Sequence, residues 1–252
     1  MTTLTNEEDF RLDSSIELDI IQSKNYVEKT LGLDVGDNVF LLCYALERTR
    51  NLNGAYLECG VFRGSTILTA KKFCELRGID KKFYGADSFE GFPNNQTTNP
   101  KDAPQVFLEL YRQGKITKEH LELSKKRISN LNRNHLNTEY FSNPGKVIFE
   151  QAPLKNIKLL KGPFEKTLRD FNEPISVLHL DCDLYEPYLE CLSLQYKNLA
   201  KGGFVVLDEY YSHKYPGARV AVDEFLSTLN NKDYVLSKFS TGHFERWCIT
   251  KL

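Results

Sequence analysis

The chain has 252 residues, 41% of them hydrophobic and 27% charged, the balance of a globular protein with room for one large α/β domain or two small ones. With 33 Lys plus Arg against 34 Asp plus Glu it carries no basic footprint for nucleic acid, and no apolar run approaches a membrane span. Six cysteines, Cys43, Cys59, Cys74, Cys182, Cys191 and Cys248, lie scattered in apolar patterns without a C-x-x-C pair, which argues against zinc or redox motifs and suits a reducing cytoplasm.

The polar, acidic residues 1–10 are not a signal peptide, and residues 1 to about 13 are expected to fray. Ile16, Ile20, Val27 and Leu31 follow at helical spacing. Asp37 and Asn38 can open a second helix carrying Val39, Phe40, Leu42, Cys43 and Leu46. Residues 1–53 thus read as an N-terminal helical cap, and residues 54–252 as the main domain.

The main domain starts with an apolar run ending in Glu58, followed by Gly60, Gly64 and a helical pattern through Ile67, Leu68, Ala70 and Phe73. That is a buried strand, a tight turn and a helix opening, with Ser65 or Thr66 available as a cap. The spacing E-x-G-x-x-x-G lacks the middle glycine of the dinucleotide fingerprint, so a bound pyrophosphate is a poor fit. Gly78 stops the helix. Residues 82–87 form a second strand ending in Asp87, where such folds hold a pair of ribose hydroxyls.

From about 94 to 155 the pattern loosens into a lid-like insertion, too long for a plain connection. It contains two helical stretches, 106–111 and 121–131, and a strand-like stretch at 146–149. The core resumes with a strand at 156–161 and a turn at Gly162-Pro163-Phe164. An apolar strand then ends in Asp181 and Asp183, a helix opens at Tyr185, and a further apolar strand ends in Asp208 and Glu209. A helix over about 218–229 and two closing strands, 234–239 and 246–250, complete the chain. Strands alternating with helices predict an α/β fold: a mostly parallel sheet with helices on both faces and an antiparallel final strand.

In such a sheet ligands bind beyond the carboxyl ends of the strands, so both acid pairs fall on the ligand edge. Four converging carboxylates repel unless protonated or neutralised, and an all-oxygen donor set suits Mg²⁺. His179, two residues before Asp181 within an apolar strand, reads as a core or supporting histidine rather than a catalytic one. His213, in the aromatic loop after Glu209, reads as an ordinary loop histidine.

Taken together, these residues resemble the macrocin O-methyltransferases, which methylate sugar hydroxyls of antibiotics. The matching blocks run in order: Tyr56 to Ser65, Ala86 to Pro93, Gly162 to Phe164 with Thr167 and Leu168, Leu180 to Tyr185, Gly202 to Glu209, and Pro216 to Phe225. The resemblance implies a Rossmann-like class I methyltransferase fold with S-adenosylmethionine (SAM) and Mg²⁺ as cofactors. It implies a cofactor site of Glu58, Gly60, Val61, Gly64, Ser65, Asp87, Ser88, Phe89, Gly162, Phe164 and Asp181. It implies Asp181, Asp208 and Glu209 as metal ligands and Asp183 as the general base. The implied acceptor is a small-molecule sugar or glycoside, for an enzyme in the cytoplasm, with no nucleic acid or membrane partner and with room for a homo-oligomer. The chain departs from the family at Glu209, where a second aspartate is usual, at Pro163, where an aromatic is common, and in its longer insertion. Two other readings stand beside this one. Asp181-Cys182-Asp183 also fits the D-x-D of a metal-dependent glycosyltransferase, which leaves the Glu58 to Ser65 turn unexplained; a non-catalytic SAM-binding protein is the other.

Overall fold

The computed structural model describes residues 5–7, 12–92, 99–129, 156–241 and 244–252. Its centre is an eight-stranded sheet in the order β1-β7-β8-β6-β5-β2-β3-β4. The strands are β1 (Thr5–Glu7), β2 (Ala55–Cys59), β3 (Phe83–Asp87), β4 (Ile157–Lys161), β5 (Ile175–Leu180), β6 (Leu199–Leu207), β7 (Tyr234–Thr241) and β8 (Phe244–Lys251). β2 through β6 run parallel; β8 is antiparallel to both β6 and β7. Every residue of β2 and β5 is buried, which is why these strands read as continuous apolar runs rather than alternating ones.

Alternate side chains of the strands feed two cores. On one face, Tyr56, Val177, Phe204 and Val206 pack with α1 (Ser14–Leu31), α2 (Val39–Arg48) and α3 (Ser65–Arg77). On the other, Leu57, Leu178, Leu180 and Val205 meet α6 (Phe164–Thr167) at its end, α7 (Tyr185–Gln195) and α8 (Pro216–Ser227). The two N-terminal helices thus lie on one sheet face beside α3. Gly64, the N-cap of α3, lies in the left-handed region with φ 81°, and neither Ser65 nor Thr66 caps the helix, contrary to the sequence expectation. A second difference is β1: residues 5–7, expected to fray, form an edge strand parallel to β7. A three-residue polar strand has no periodicity to reveal it.

From β2 the chain steps outward to β3 and β4, then returns to the other side of β2 to build β5 and β6. The switch in direction leaves a crevice at the carboxyl ends of β2 and β5, the place where open α/β sheets bind ligands.

Of the insertion, residues 99–129 are described; the strand-like stretch at 146–149 falls outside the described residues. A turn at Pro100–Asp102 leads to α4 (Val106–Arg112) and α5 (Lys118–Ser129). Val106, Phe107, Leu110, Ile116 and Leu121 form a small core of their own that rests on Val220 of α8. His120 ties this unit to the loop after β6: its Nε2 lies 3.1 Å from the Ser212 carbonyl oxygen, and its ring meets Tyr211 and His213.

Burial, with His213 and Arg219 adding to it, lowers the His120 pKa to about 4. The unfolded chain titrates near 6.5, so the neutral ring contributes stability above that pH and loses it as pH falls toward the folded value. The urea midpoint should therefore drop between pH 7 and pH 5, and the His120→Gln variant, neutral at every pH, should show a shallower drop. Equal slopes would show that His120 titrates no differently in the two states.

Candidate active site

The crevice is a cavity of ≈ 220 Å³ walled by the turns after β2, β3, β4 and β5. Gly60, Val61, Ser65, Asp87, Ser88, Phe89, Gly162, Phe164 and Asp181 all line it, as the resemblance implied for a cofactor site. Phe62, Phe92, Pro163, Cys182, Asp183 and Pro187 line it as well. Gly64 and Glu58 are not among the residues that line it. The Glu58 carboxylate, 1% exposed, accepts a hydrogen bond from the Tyr56 hydroxyl and stands 3.5 Å from His179 Nδ1. Strand alternation explains this: Tyr56 and Glu58 share a face of β2, and His179 is the register partner of Glu58 on β5.

Asp87 is the keystone of the floor. Its Oδ2 accepts from the Val61 and Phe62 amides at 2.8 and 2.9 Å, and its Oδ1 accepts from the Phe89 amide at 2.8 Å. One carboxylate thereby fixes two neighbouring turns. Phe62 and Phe89 both need the hold, because their φ values are 48° and 54°. Left-handed backbone at a bulky residue costs about 1–3 kcal/mol and persists only where the surroundings impose it.

Asp183 is strained in the same way. Its φ is 62°, and the Leu184 amide donates to the Cys182 carbonyl at 2.7 Å across it, a γ-turn of the uncommon positive-φ hand. The turn places Asp183 on the cavity wall beside Asp181. Burial pushes its carboxyl up to about 7, with the Lys214 ammonium pulling the other way. Tyr215 also acts on the Asp183 carboxylate, and favours its charged form.

The acids divide into two arrangements. His179, Asp181 and Asp208 each present one ligand atom, all within 4.8 Å of one another. Asp208 Oδ1 and His179 Nε2 are buried without a hydrogen-bond partner, and Arg246 approaches Asp208 Oδ1 at 3.6 Å. Burial and the neighbouring Asp208 hold Asp181 well above the usual carboxylate range. Orphaned polar atoms among mutually repelling acids fit a small divalent cation. Glu209 stands apart from that cluster. Its Oε2 lies 2.5 Å from the Tyr188 hydroxyl, and its amide donates to the same hydroxyl at 3.0 Å. The three grouped residues are His179, Asp181 and Asp208, whereas the resemblance implied Asp181, Asp208 and Glu209 as metal ligands.

The chain has relatives. The chain matches the macrocin-O-methyltransferase (TylF) family over residues 41–143 and 148–237. The chain belongs to that family. It is 30% identical over 175 residues to the mycinamicin III 3''-O-methyltransferase of Micromonospora griseorubida, a match covering 68% of this chain and 60% of the relative. It is 25% identical over 189 residues to the demethyldecarbamoylnovobiocin O-methyltransferase of Streptomyces niveus, covering 74% and 63%. A third relative, from Streptomyces olivaceus, is named as a 4'-O-methyltransferase of a rhamnosyl-tetracenomycin and is 25% identical over 220 residues, covering 86% of this chain and 74% of its own length. The match thus spans about 60% of the length of the first two relatives. Among solved structures, the O-methyltransferase NovP shares the fold with a TM-score of 0.62 at 18% identity, covering 94% of this chain and 100% of its own. A calicheamicin methyltransferase does so with a TM-score of 0.53 at 18% identity, covering 98% of each chain.

Within this macrocin-O-methyltransferase fold, sequence reasoning passed over two residues. Tyr188 orients Glu209 from the middle of α7, on an apolar face that reads as core. His179, read from the sequence as a core or supporting histidine, is fully buried on the face of Asp181 and within reach of the acids. Asp102 of the insertion reaches the amide of Tyr185, with no pattern around it to announce the contact.

Replacing Asp87 with alanine removes the acceptor for three amides. Amide exchange at Val61, Phe62 and Phe89 should rise roughly tenfold or more, since hydrogen bonds to charged groups contribute about 1.5–3 kcal/mol. The β2 amides should keep their protection. Unchanged exchange at Val61 would show that the loop holds itself.

Proposed function

We propose that this family member transfers a methyl group from SAM to a hydroxyl of a sugar or glycosylated small molecule, with Mg²⁺ as the metal. The observation that carries the reading is the meeting, at one switch point of the sheet, of an aromatic-walled cavity, the Asp181–Asp208 pair and the separately held Asp183. The names of the relatives, all O-methyltransferases and one of them specifying a rhamnosyl position, support the sugar class.

In this reading Gly60, Val61, Asp87 and Ser88 bind the nucleoside half of the cofactor, and Phe62, Phe89 and Phe92 exclude water around it. Asp87 does two jobs: it fixes the loops, and its Oδ1, which accepts a single amide, has room for one ribose hydroxyl. Asp181 and Asp208 hold the metal, with His179 beside them and Glu209 contributing charge from its place against Tyr188. Bound SAM supplies an electrophilic methyl group, and bound Mg²⁺ lowers the pKa of the acceptor hydroxyl. Asp183 takes the hydroxyl proton at a carboxylate oxygen on the cavity wall. Lys214 and Tyr215, beside that carboxylate, hold its charge. Little else is needed, because positioning supplies much of the rate of such a transfer. The enzyme works in the cytoplasm, and the insertion at about 94–155 covers the acceptor.

The assignment of roles is tested by kcat against Mg²⁺ concentration for single variants, with a diol-bearing sugar as acceptor. Asp181→Asn weakens the metal, so high Mg²⁺ should restore part of its activity. Asp183→Asn should lose about 10²–10⁴-fold in kcat, a typical general-base contribution, and extra metal should not help. Rescue of Asp183→Asn but not of Asp181→Asn would exchange the two roles. Full wild-type activity in EDTA would remove the metal from the mechanism.

A further inference from the structure

The γ-turn that presents Asp183 is strained, and something must hold its far end. α7 starts at Tyr185, directly after it. Residue Leu184 occupies the N-cap position and has no side-chain oxygen to offer, so α7 lacks a cap of its own. The missing acceptor comes from the insertion: Asp102 Oδ1 accepts the Tyr185 amide at 2.9 Å. A carboxylate there also opposes the positive end of the helix dipole.

The same carboxylate touches a second helix start. α8 begins at Pro216, and a Cβ on Gly217 would lie 1.9 Å from Asp102 Oδ1. Gly217 has an ordinary φ, so no backbone demand calls for glycine there; the space is taken by Asp102. Tyr215, the residue that acts on Asp183, sits immediately before this helix. Asp102 therefore wedges between the first turns of two helices whose preceding residues are Asp183 with Leu184 and Tyr215.

Neighbouring residues reinforce the wedge. Lys101 Nζ donates to the Tyr185 hydroxyl at 2.8 Å and pairs with Glu224 of α8 at 2.7 Å. Asn99 Nδ2 donates to Glu186 at 2.9 Å. Residues 99–102 thus hold the start of α7 against α8, with Asp102 at the start of α8 and Lys101 at Glu224 farther along it, while Asp102 alone reaches the backbone. Its Oδ2 is buried without a hydrogen-bond partner, a cost that a merely decorative surface contact would not carry.

We infer that Asp102 is a positioning residue, through which the docked insertion sets the backbone of Asp183 and the placement of Tyr215. The inference rests on the reading of Asp183 as proton acceptor for its catalytic meaning, and on geometry alone for its structural one. It gives residues 99–102 a task in the chemistry: losing their contacts with α7 and α8 releases the γ-turn, so the proton acceptor is held in place only while those contacts stand.

Amide NMR and exchange on the full chain test this with Asp102→Ala, Asp102→Asn, Gly217→Ala and the double variant Asp102→Ala/Gly217→Ala. Asp102→Ala should shift the amide signals of residues 183–186 and 215 and speed exchange at Tyr185 roughly fivefold or more, the usual consequence of losing a helix cap. Asp102→Asn keeps an acceptor oxygen and should restore most of the wild-type signature. Gly217→Ala should reproduce the Asp102→Ala signature by expelling the carboxylate, and should add nothing in the Asp102→Ala background, where the space is free. Calorimetry with S-adenosylhomocysteine should give the same affinity for wild type and Asp102→Asn. Wild-type signals at 183–186 in Asp102→Ala, a failure of asparagine to restore them, or faster exchange spread evenly over the chain would overturn the inference. If the wild type fails to bind S-adenosylhomocysteine while the amide signatures behave as described, the functional reading falls and the wedge stands.

Discussion

The structure depends on how closely two strand ends approach each other. A Cβ on Gly60 would lie 1.8 Å from the Asp181 carbonyl oxygen, inside any tolerable contact. The approach is fixed from both sides: the Asp181 amide donates to Cys59 at 3.0 Å, and the Gly60 amide donates to Ala86 at 2.9 Å. With φ at 91°, Gly60 also occupies backbone space that other residues enter at a cost. Its two requirements have one effect. The turn that walls the cavity and the carboxylates that end β5 are held within one backbone contact of each other, so the cavity and the acid cluster become a single site.

What that closeness gathers is electrostatically expensive. Glu209 is buried and Asp181 half-buried with other acids around them, and burial first, then like charge, raises both carboxyls well above their ordinary range. Each acid is managed differently. Glu209 has the Tyr188 hydroxyl; Asp208 has Arg246 near one oxygen; Asp183 has Lys214 and Tyr215. Asp181 and Asp208 still face each other with His179, and this is the place that the proposed function gives to the divalent cation. Strain is distributed in the same region: of the non-glycine residues with positive φ, Phe62, Phe89 and Asp183 all line the cavity. Rigid, over-determined backbone at a site is what precise presentation of a few polar atoms requires.

Much of this was legible in the sequence, and the exceptions have physical causes. Strand ends were readable because an apolar run stops at an acid: Glu58, Asp87, Asp181 and Asp208 each mark one. The direction of a side chain at such an end is set by parity and by the neighbouring strand, so Glu58 reads as a cavity residue while it turns to Tyr56 and His179. The place of Glu209 is set by Tyr188, 21 residues earlier on another element, and no local pattern encodes that pairing. Asp102 is the extreme case, a helix cap 83 residues away from the helix it caps. Capping rules read from sequence look one to three residues upstream, so a cap delivered by an insertion is invisible to them. β1 escaped for a simpler reason, since three polar residues on a sheet edge bury nothing that periodicity could register.

The central claim is that one sheet switch point holds both a nucleoside cofactor and a metal. Anomalous diffraction from crystals grown with Mn²⁺ and S-adenosylhomocysteine tests it most directly. The account predicts a manganese peak between the carboxylates of Asp181 and Asp208, and the nucleoside in the cavity against Phe62, Phe89 and Asp87. Manganese bound away from those two carboxylates, or a nucleoside seated outside that cavity, would contradict it.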